Sequence, residues 1–333
     1  MMGGMKSMLL IASATSALGV GQEDTTGARA GSRPFAWLQH TAAPARPLLV
    51  HVHVPKTGGS SLIEDVVKHL EVRLCVPKVA MHKCIGAQTL APEGALGAAA
   101  RGGCEFTSCE ASVRTASRML GGEGVGDGLI AMVRSPMSHL YSMFAHCQRP
   151  GSRRFRTSFR GWLREARVAG GAVPPICGYN PWNMATLMLG NDTGAHATLR
   201  GLAAARLALE RAAVAGVTEE YGASLCLLVA RSPGRARALS KRMCRCDDDG
   251  AALRARYALV RQRNTARGRA AQQQQRAIRG AQGAVAHLTR LDAALHRHAA
   301  ALLLRGVEEH GLQCHLRNET RLRALASPSK DGL

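Results

Sequence analysis

The chain has 333 residues, which is enough for one complete hydrophobic core. It contains 44 Lys and Arg against 23 Asp and Glu, and the formal net charge of +21 should attract anions such as nucleotide cofactors, acidic glycans or nucleic acids. Aromatic residues make up only 4% of the sequence, and there is no zinc-finger, RNA-recognition or basic-zipper pattern, which argues against a nucleic-acid partner.

The N-terminal segment predicts entry into the secretory pathway. Residues 1–21 have a Lys followed by an apolar run of roughly 13 residues that ends in small residues. This is typical of a signal peptide, since a full membrane span needs roughly 20 apolar residues, and a short signal-anchor is the alternative. Residues 22–46 are polar and rich in Pro, Gly and Ala, which predicts a stem or linker. Residues 47–325 then form the domain, and residues 326–333 a disordered tail.

The strongest pattern of the sequence runs from Leu48 to Leu70. Residues 48–54 are apolar or β-branched apart from two His, which predicts a buried strand that Pro55 ends. Gly58 and Gly59 then allow a tight turn. A helix is predicted to follow, with four apolar side chains on one face: Leu62, Val66, Val67 and Leu70.

A strand, a glycine turn and a helix N-terminus in this order predict an anion site, because unpaired N–H groups and the positive end of the helix dipole point at one spot. Lys56 adds a full charge there, and Ser60 and Ser61 can cap the helix. We therefore expect a phosphate ligand, with a turn that binds nothing as the alternative. The common nucleotide loop, GxxxxGK followed by Ser or Thr, has its Lys after the glycines, whereas Lys56 precedes them, which argues against an ordinary ATPase or GTPase.

The string HVPKTGGSSL, residues 53–62, closely resembles the 5′-phosphosulfate loop of the Golgi-type carbohydrate sulfotransferases, which include the heparan sulfate 2-O- and 6-O-sulfotransferases. The resemblance implies an α/β fold, a single domain in which helices flank a P-loop-like parallel sheet. It also implies that the donor 3′-phosphoadenosine-5′-phosphosulfate (PAPS) is bound by six loop residues: Lys56, Thr57, Gly58, Gly59, Ser60 and Ser61.

A short strand-like segment, CEFTSC, precedes a helical one, ASVRTASRML, within residues 104–120, and Glu110 lies at their junction. In the resembling enzymes a His or Glu between the two phosphate segments acts as the general base. Their His-containing string is not recognisable here, so we nominate Glu110, with His82 as the alternate. Glu110 could equally be an ordinary first-turn helix carboxylate. His51 and His53 are expected to pack beneath the loop, and a catalytic role of His53 is a weaker possibility.

A second anion site is predicted within residues 128–147. Leu129–Val133 is an apolar strand, Arg134 stands at its end, and Pro136 can open a helix. The planar fork of an Arg matches phosphate oxygens, although Arg134 could also be a surface cation. The order R-x-P, with Ser142 further along, resembles the 3′-phosphate site of the same sulfotransferases. The helix is predicted to be apolar at four positions: Met137, Tyr141, Phe144 and Ala145.

The later elements carry weaker patterns. Residues 152–171 predict an amphipathic helix with a basic face that is either solvated or turned to a glycan. Residues 179–190 resemble the family's N-x-Q-T-x-x-L-x-G segment, but Ala185 replaces the Gln. The matching residues are Asn183, Thr186, Leu189 and Gly190.

Two further segments resemble the same family. Thr218-Glu219 matches a segment built as a strand, an acidic turn and another apolar run, and Ser224–Ala230 is predicted to be a core strand or helix. Residues 284–310 look like the family's closing helix, with Leu291-Asp292 and Leu295 in its LD-x-x-L pattern.

The ten cysteines permit up to five disulfides in a secreted chain, although several could be buried thiols. Cys244 and Cys246 lack the two-residue spacer of a zinc or redox pair, so no metal site is predicted. N-glycosylation sequons begin at Asn191 and Asn318. Together with the N-terminal segment, these features favour the Golgi lumen, with or without a membrane anchor.

The resemblance implies in-line transfer of a sulfuryl group from PAPS to a hydroxyl of a carbohydrate acceptor, without a metal. Lys56 would stabilise the charge that builds on the bridging oxygen, since positioning and electrostatics dominate such transfers. The main alternative is a basic glycan- or nucleic-acid-binding protein with a degenerate loop. A P-loop kinase is disfavoured by the position of Lys56 and by the lack of an acidic strand end.

Overall fold

The computed structural model describes residues 48–75, 103–120, 126–148, 157–168, 181–190, 196–256, 259 and 276–327. All of these stretches belong to one unit, Arg46–Leu333. The predictions for the signal segment, the linker, His82, the Asn191 sequon and the tail beyond residue 327 lie outside the described residues.

The centre of the structure is a parallel sheet of four strands in the order β2–β1–β3–β4. All of their residues are buried. Strands of a parallel sheet are covered by helices on both faces, which favours continuous apolar runs such as Leu129–Val133, although this sheet also buries His51, Thr107 and Ser108. The predicted α/β fold with a helix-flanked parallel sheet is confirmed. The strands are β1 (Leu49–Val52), β2 (Phe106–Cys109), β3 (Leu129–Val133) and β4 (Val214–Val217).

Most of the described residues outside the sheet are helical. The helices are α1 (Gly59–His69), α2 (Val113–Met119), α3 (Pro136–Cys147), α4 (Phe159–Val168), α5 (Met184–Leu189), α6 (Leu199–Glu210), α7 (Tyr221–Arg231), α8 (Ala238–Met243), α9 (Asp248–Arg256), α10 (Gln282–Leu288), α11 (Arg290–Glu309) and α12 (Glu319–Ala326). Short 3₁₀ turns cover Gly126–Gly128, Thr218–Glu220 and Gln313–His315.

The predicted elements correspond closely to the observed ones, with a few corrections. β3 and the start of α3 at Pro136 are as predicted. Ser224–Ala230, left open between strand and helix, lies within α7. The single closing helix expected over residues 284–310 is two helices, α10 and α11, that meet at Thr289. Ala145 was assigned to the apolar face of α3 but is exposed, because the buried side chains of α3 are shifted by one position.

The hydrophobic core has two clusters. The larger one surrounds the sheet. The second one lies between α3, α4 and α10 and includes Phe144, Phe159, Trp162 and Leu163. The Arg residues of α4 are exposed, so this helix packs by its apolar side and keeps its basic side in solvent.

Disulfides cross-link the described residues, which indicates an oxidising, secretory-type environment. Cys109 and Cys147 are also disulfide-bonded. Cys226 is buried but is paired with Cys244, so it is not a buried thiol. The bonds described in full are Cys75–Cys104, Cys226–Cys244 and Cys246–Cys314. Within the part of the chain that the structure describes, no helix is both long and apolar enough to span a bilayer.

Candidate functional site

The sheet topology itself marks a binding position. The chain leaves β1 toward β2, on one side, and leaves β3 toward β4, on the other, although β1 and β3 are neighbours. Ligands of open parallel sheets bind at the carboxyl ends of the strands, in the crevice where the chain direction divides in this way. The two predicted anion-binding segments follow these two strands. We call them the loop segment, Val54–Ser61, and the Arg segment, Arg134–Ser142.

The loop segment reaches its shape through two left-handed residues. Lys56 has φ 66° and Gly58 has φ 93°. The turn is closed by the Thr57 hydroxyl, which donates to the Val54 carbonyl at 2.8 Å. Gly58 is the N-cap of α1, so the expectation that Ser60 or Ser61 caps this helix is wrong. The chain must enter α1 through a left-handed residue, which glycine adopts without steric cost.

The helix N-terminus leaves backbone donors directed out of α1. Its first backbone bond runs from the Leu62 N–H to the Gly58 carbonyl at 3.0 Å. The N–H groups of the preceding residues at this helix N-terminus therefore have no partner in the helix, and such groups can bind an anion. Gly59 must be glycine, because a Cβ there would lie 1.9 Å from Cδ2 of His53, whose ring packs beneath the loop.

Three carbonyls of the loop segment contact side chains from other parts of the chain. His139 Nε2 contacts the Pro55 oxygen at 2.7 Å, and Arg134 Nη1 donates to the Lys56 oxygen at 3.0 Å. The Thr218 hydroxyl donates to the Thr57 oxygen at 2.7 Å. Three successive carbonyls of the loop segment thus have side-chain partners.

α3 presents a polar face to the loop segment. Burial lowers the pKa of His139 to about 4, so its imidazole is neutral and Nε2–H donates to Pro55. Lys56 Nζ donates to His146 Nδ1 at 3.1 Å. Ser142 lies between these two His in helical register and so shares their face. Sequence reasoning missed both His, although a polar stripe at spacings of three and four in an apolar helix is a usable signal.

Thr218 contacts the loop segment, and Glu219 contacts the Arg segment. Besides Thr57, the Thr218 hydroxyl lies 3.2 Å from the Val133 carbonyl, at the end of β3. Glu219 accepts a hydrogen bond from the Ser135 backbone N–H at 3.1 Å, and its other oxygen lies 3.5 Å from His296 Nε2. Burial alone would raise the pKa of Glu219, but the nearby His296 and the hydrogen bond from Ser135 hold it at about 2.

Arg134 is half-buried between the segments. Burial lowers the pKa of its guanidinium and the nearby Glu219 carboxylate opposes this effect. An Arg side chain retains its charge under such conditions. One of its N–H groups is used on the Lys56 carbonyl, and the guanidinium has four more to offer.

Glu110 lies at the same edge of the sheet, directly after β2. Its Oε1 is 3.5 Å from Nδ1 of His53. Burial raises the pKa of Glu110, and the positive charge of Lys56 opposes the rise, so Glu110 and Lys56 interact electrostatically. His51 lies deeper, stacked on His53 with ring centroids 5.3 Å apart and 2.7 Å from the Ser108 hydroxyl. The structure thus brings Glu110 and His53 to the loop, and His51 serves as their support.

Asn183 and Asp292 have a structural role. The Asn183 side-chain oxygen accepts from the N–H groups of Leu291 and Asp292 at 2.8 and 3.1 Å, at the start of α11. Asp292 accepts in return from Ala185 N–H, and from the N–H and hydroxyl of Thr186, at the start of α5. Each side chain therefore caps the other's helix. Ala185 is buried, and only its backbone makes a polar contact here.

Comparison with known proteins supplies no family: no protein-family model matches the sequence, and no curated protein and no solved structure matches it significantly. Function is therefore inferred from the geometry of the site together with the sequence resemblance.

Proposed function

We propose that this protein is a PAPS-dependent carbohydrate sulfotransferase of the secretory pathway, with the P-loop-like donor site typical of such enzymes. The observation that carries the proposal is the contact of Arg134 Nη1 with the Lys56 carbonyl at 3.0 Å. It joins the two segments that the sequence pattern assigns to the two ends of one donor. A generic phosphate site would need only the first segment.

The two segments suit the two anionic ends of PAPS. The 5′-phosphosulfate would lie at the N-terminus of α1, where backbone N–H groups, the helix dipole and Lys56 converge. The 3′-phosphate would lie against Arg134 and Ser142, since Ser142 shares the α3 face that contacts the loop segment. Fixed donors of this kind stabilise charge without reorganising during the reaction.

The chemistry is an in-line displacement at sulfur. The acceptor hydroxyl oxygen forms a bond to sulfur while the bond between sulfur and the 5′-phosphate oxygen breaks. The hydroxyl proton passes to a base, and the negative charge builds on the bridging oxygen, where the Lys56 ammonium stabilises it. His146 accepts a hydrogen bond from Lys56 Nζ and so restrains it before the donor binds.

Glu110 is the proposed base, and His53 is its partner or its replacement. A raised pKa makes the Glu110 carboxylate a stronger base, and it loses activity as the pH falls through that pKa. If Glu110 is the base, Glu110→Gln lowers turnover strongly and removes the acidic limb of the pH profile. If His53 is the base, His53→Gln does so instead. His82 is the remaining alternate, outside the described residues.

The decisive test is sulfate transfer by Lys56→Ala. The full chain and radiolabelled PAPS would be screened against glycosaminoglycan and galactose-containing acceptors. We expect a loss of about 10³-fold, the size seen when a preorganised charge donor is removed. Lys68→Ala, which removes an exposed Lys from α1, is the matched control and should keep full activity. Full activity of Lys56→Ala would overturn the proposal.

The second candidate is a basic glycan- or nucleic-acid-binding protein that uses its charge of +21 without catalysis. Thermal-shift titration with 3′-phosphoadenosine-5′-phosphate separates the two. A folded site that binds this nucleotide at micromolar concentration is stabilised in proportion to its occupancy. A protein that only binds polyanions has no such saturable shift.

A further inference from the structure

A cavity of about 370 Å³ opens where the starts of α5, α6 and α11 meet. Its lining includes Trp182, His196, Leu199, His287 and Arg290. This volume lies in the range of small-molecule sites, about 300–1,000 Å³. None of these side chains takes part in the site described above.

The cavity has a fixed aromatic wall. The Trp182 indole meets the His196 and His287 rings nearly edge-on, at 5.9 and 5.5 Å with interplanar angles of 89° and 71°. Its Nε1–H donates to the Ala166 carbonyl at 3.0 Å, at the end of α4. The indole orientation is therefore set by contacts outside the cavity.

The polar groups of the cavity are donors. His196, His287 and Arg290 are exposed, so their N–H groups are accessible to a ligand. Among the described residues that line the cavity there is no Asp or Glu. Leu199 adds an apolar surface that is 59% exposed. An aromatic face, an apolar edge, the Arg290 guanidinium and two imidazoles that can donate hydrogen bonds fit an anionic ligand with an apolar face of its own.

We propose that this cavity binds an acidic sugar unit of a glycan, through its carboxylate or sulfate group. The face of the sugar ring would pack on Trp182, while Arg290 and the two imidazoles donate to the anionic group. Trp182 packs on the second core cluster, as does Tyr141 of α3. The His139–His146 stripe of α3 faces the loop segment instead, so the cavity is an accessory subsite apart from the transfer site. The assignment to an acceptor glycan rests on the proposed function, but sugar binding by the cavity does not require transfer.

The test is direct binding of a heparin-derived tetrasaccharide to the full chain, measured by calorimetry without donor. Arg290→Gln should weaken binding about tenfold, the size of one charge-assisted hydrogen bond. His287→Gln should weaken tetrasaccharide binding by less than Arg290→Gln does. These two variants are preferred to Trp182→Ala, because loss of the indole would also disturb core packing. Arg211→Gln, at the opposite end of α6 from Leu199, is the matched control and should bind as the unaltered protein does.

Chemically altered probes identify the anionic group. Loss of binding to a carboxyl-reduced tetrasaccharide assigns the carboxylate, and loss of binding to a desulfated one assigns the sulfate. Equal weakening by Arg290→Gln and Arg211→Gln would show diffuse charge attraction and overturn the proposal. So would a single-stranded RNA that binds with the same dependence on Arg290.

The same measurement separates this inference from the proposed function. Lys56→Ala protein should lose transfer yet bind the tetrasaccharide normally. If the unaltered protein shows no transfer but its binding depends on Arg290, the proposed function fails and the cavity assignment stands.

Discussion

The loop segment and the Arg segment follow neighbouring strands of one sheet, yet they are built by different means. The loop segment offers mainly its backbone to a ligand: it has two left-handed residues and an α1 N-terminus capped by Gly58. The Arg segment has a proline at the first turn of α3 and offers side chains instead. The geometry of the loop segment therefore depends on its backbone shape, whereas the chemistry of the Arg segment depends on the identity of single side chains.

The loop segment depends on contacts from the Arg segment more than the Arg segment depends on the loop segment. Two of the three side chains that hold the loop carbonyls, Arg134 and His139, belong to the Arg segment, and the third is Thr218. The Arg segment thus supports the loop segment, in addition to its proposed role in binding the 3′-phosphate. Changes in the loop segment should act locally and severely, and changes in the Arg segment should separate binding from support.

The largest effect is expected from Gly59→Ala, which breaks the loop segment through its shape. The added Cβ would lie 1.9 Å from the His53 ring, so either the ring or the start of α1 must move. We expect a destabilisation of about 3 kcal/mol and no measurable nucleotide binding. Urea unfolding and thermal-shift titration measure the two effects.

Gly283→Ala in α10 is the matched control, since a Cβ there meets nothing within 4 Å. It should stabilise the protein by about 0.5 kcal/mol, as removal of a helix glycine does. A Gly59→Ala protein as stable as this control would contradict the account of the loop.

Arg134→Lys tests whether the Arg segment reads the 3′-phosphate. A Lys ammonium can replace the charge but cannot serve the Lys56 carbonyl and a phosphate at once, as the Arg fork can. Affinity for 3′-phosphoadenosine-5′-phosphate should fall about 100-fold, or about 2.7 kcal/mol, measured by calorimetry. Affinity for adenosine 5′-phosphate, which lacks the 3′ group, should change little. Equal losses for both nucleotides would assign Arg134 to support alone.

The sheet and its adjoining turns could be predicted from sequence because local rules set them. β3 is an apolar run, and β1 is one apart from His51. Pro55 follows β1, and Pro136 begins the helix after β3. The prediction that Ser60 or Ser61 caps α1 is wrong, because the chain enters this helix through the left-handed Gly58, which side-chain cap preferences do not describe. The prediction of one continuous closing helix is also wrong, because the apolar spacing continues across the break at Thr289 and does not reveal it.

The support of the site could not be predicted, because it depends on contacts between distant residues. Thr218 meets Thr57, His146 meets Lys56 and Asn183 meets the start of α11 only after the sheet has formed. A polar residue in a sequence does not show which distant carbonyl it will contact. The position of Glu110 at this edge of the sheet could be predicted, because a strand–helix junction lies where the other strands also end.

His139→Gln removes a titrating group from the support while its amide can still donate to the Pro55 carbonyl. The pKa of folded His139, about 4, lies below the ordinary value of 6.5, so the unfolded chain binds the proton more tightly. The stability that this His contributes is present above pH 6.5 and is lost as the pH falls toward 4. Between pH 6.5 and 5 the unaltered protein should lose about 1.5 kcal/mol more than His139→Gln does.

Unfolding by urea at several pH values measures this difference. His310→Gln, which replaces an exposed His at the end of α11, is the control and should follow the unaltered protein. If His139→Gln loses stability on acidification as steeply as the control, then His139 is not the buried neutral donor described here.

Thr218→Val has the smallest expected effect, but it acts on both segments at once. The Thr218 hydroxyl lies between the Thr57 carbonyl of the loop segment and the Val133 carbonyl at the end of β3. Valine has the same shape as threonine but lacks the hydroxyl. We expect a loss of about 1 kcal/mol of stability, the net value of one hydrogen bond. Because the loop and the Arg segment lose a common anchor, affinity for nucleotides with and without the 3′-phosphate should fall together, unlike in Arg134→Lys. Thr218→Ser retains the hydroxyl and should restore both affinities. A selective loss for one nucleotide would mean that Thr218 supports only one of the segments.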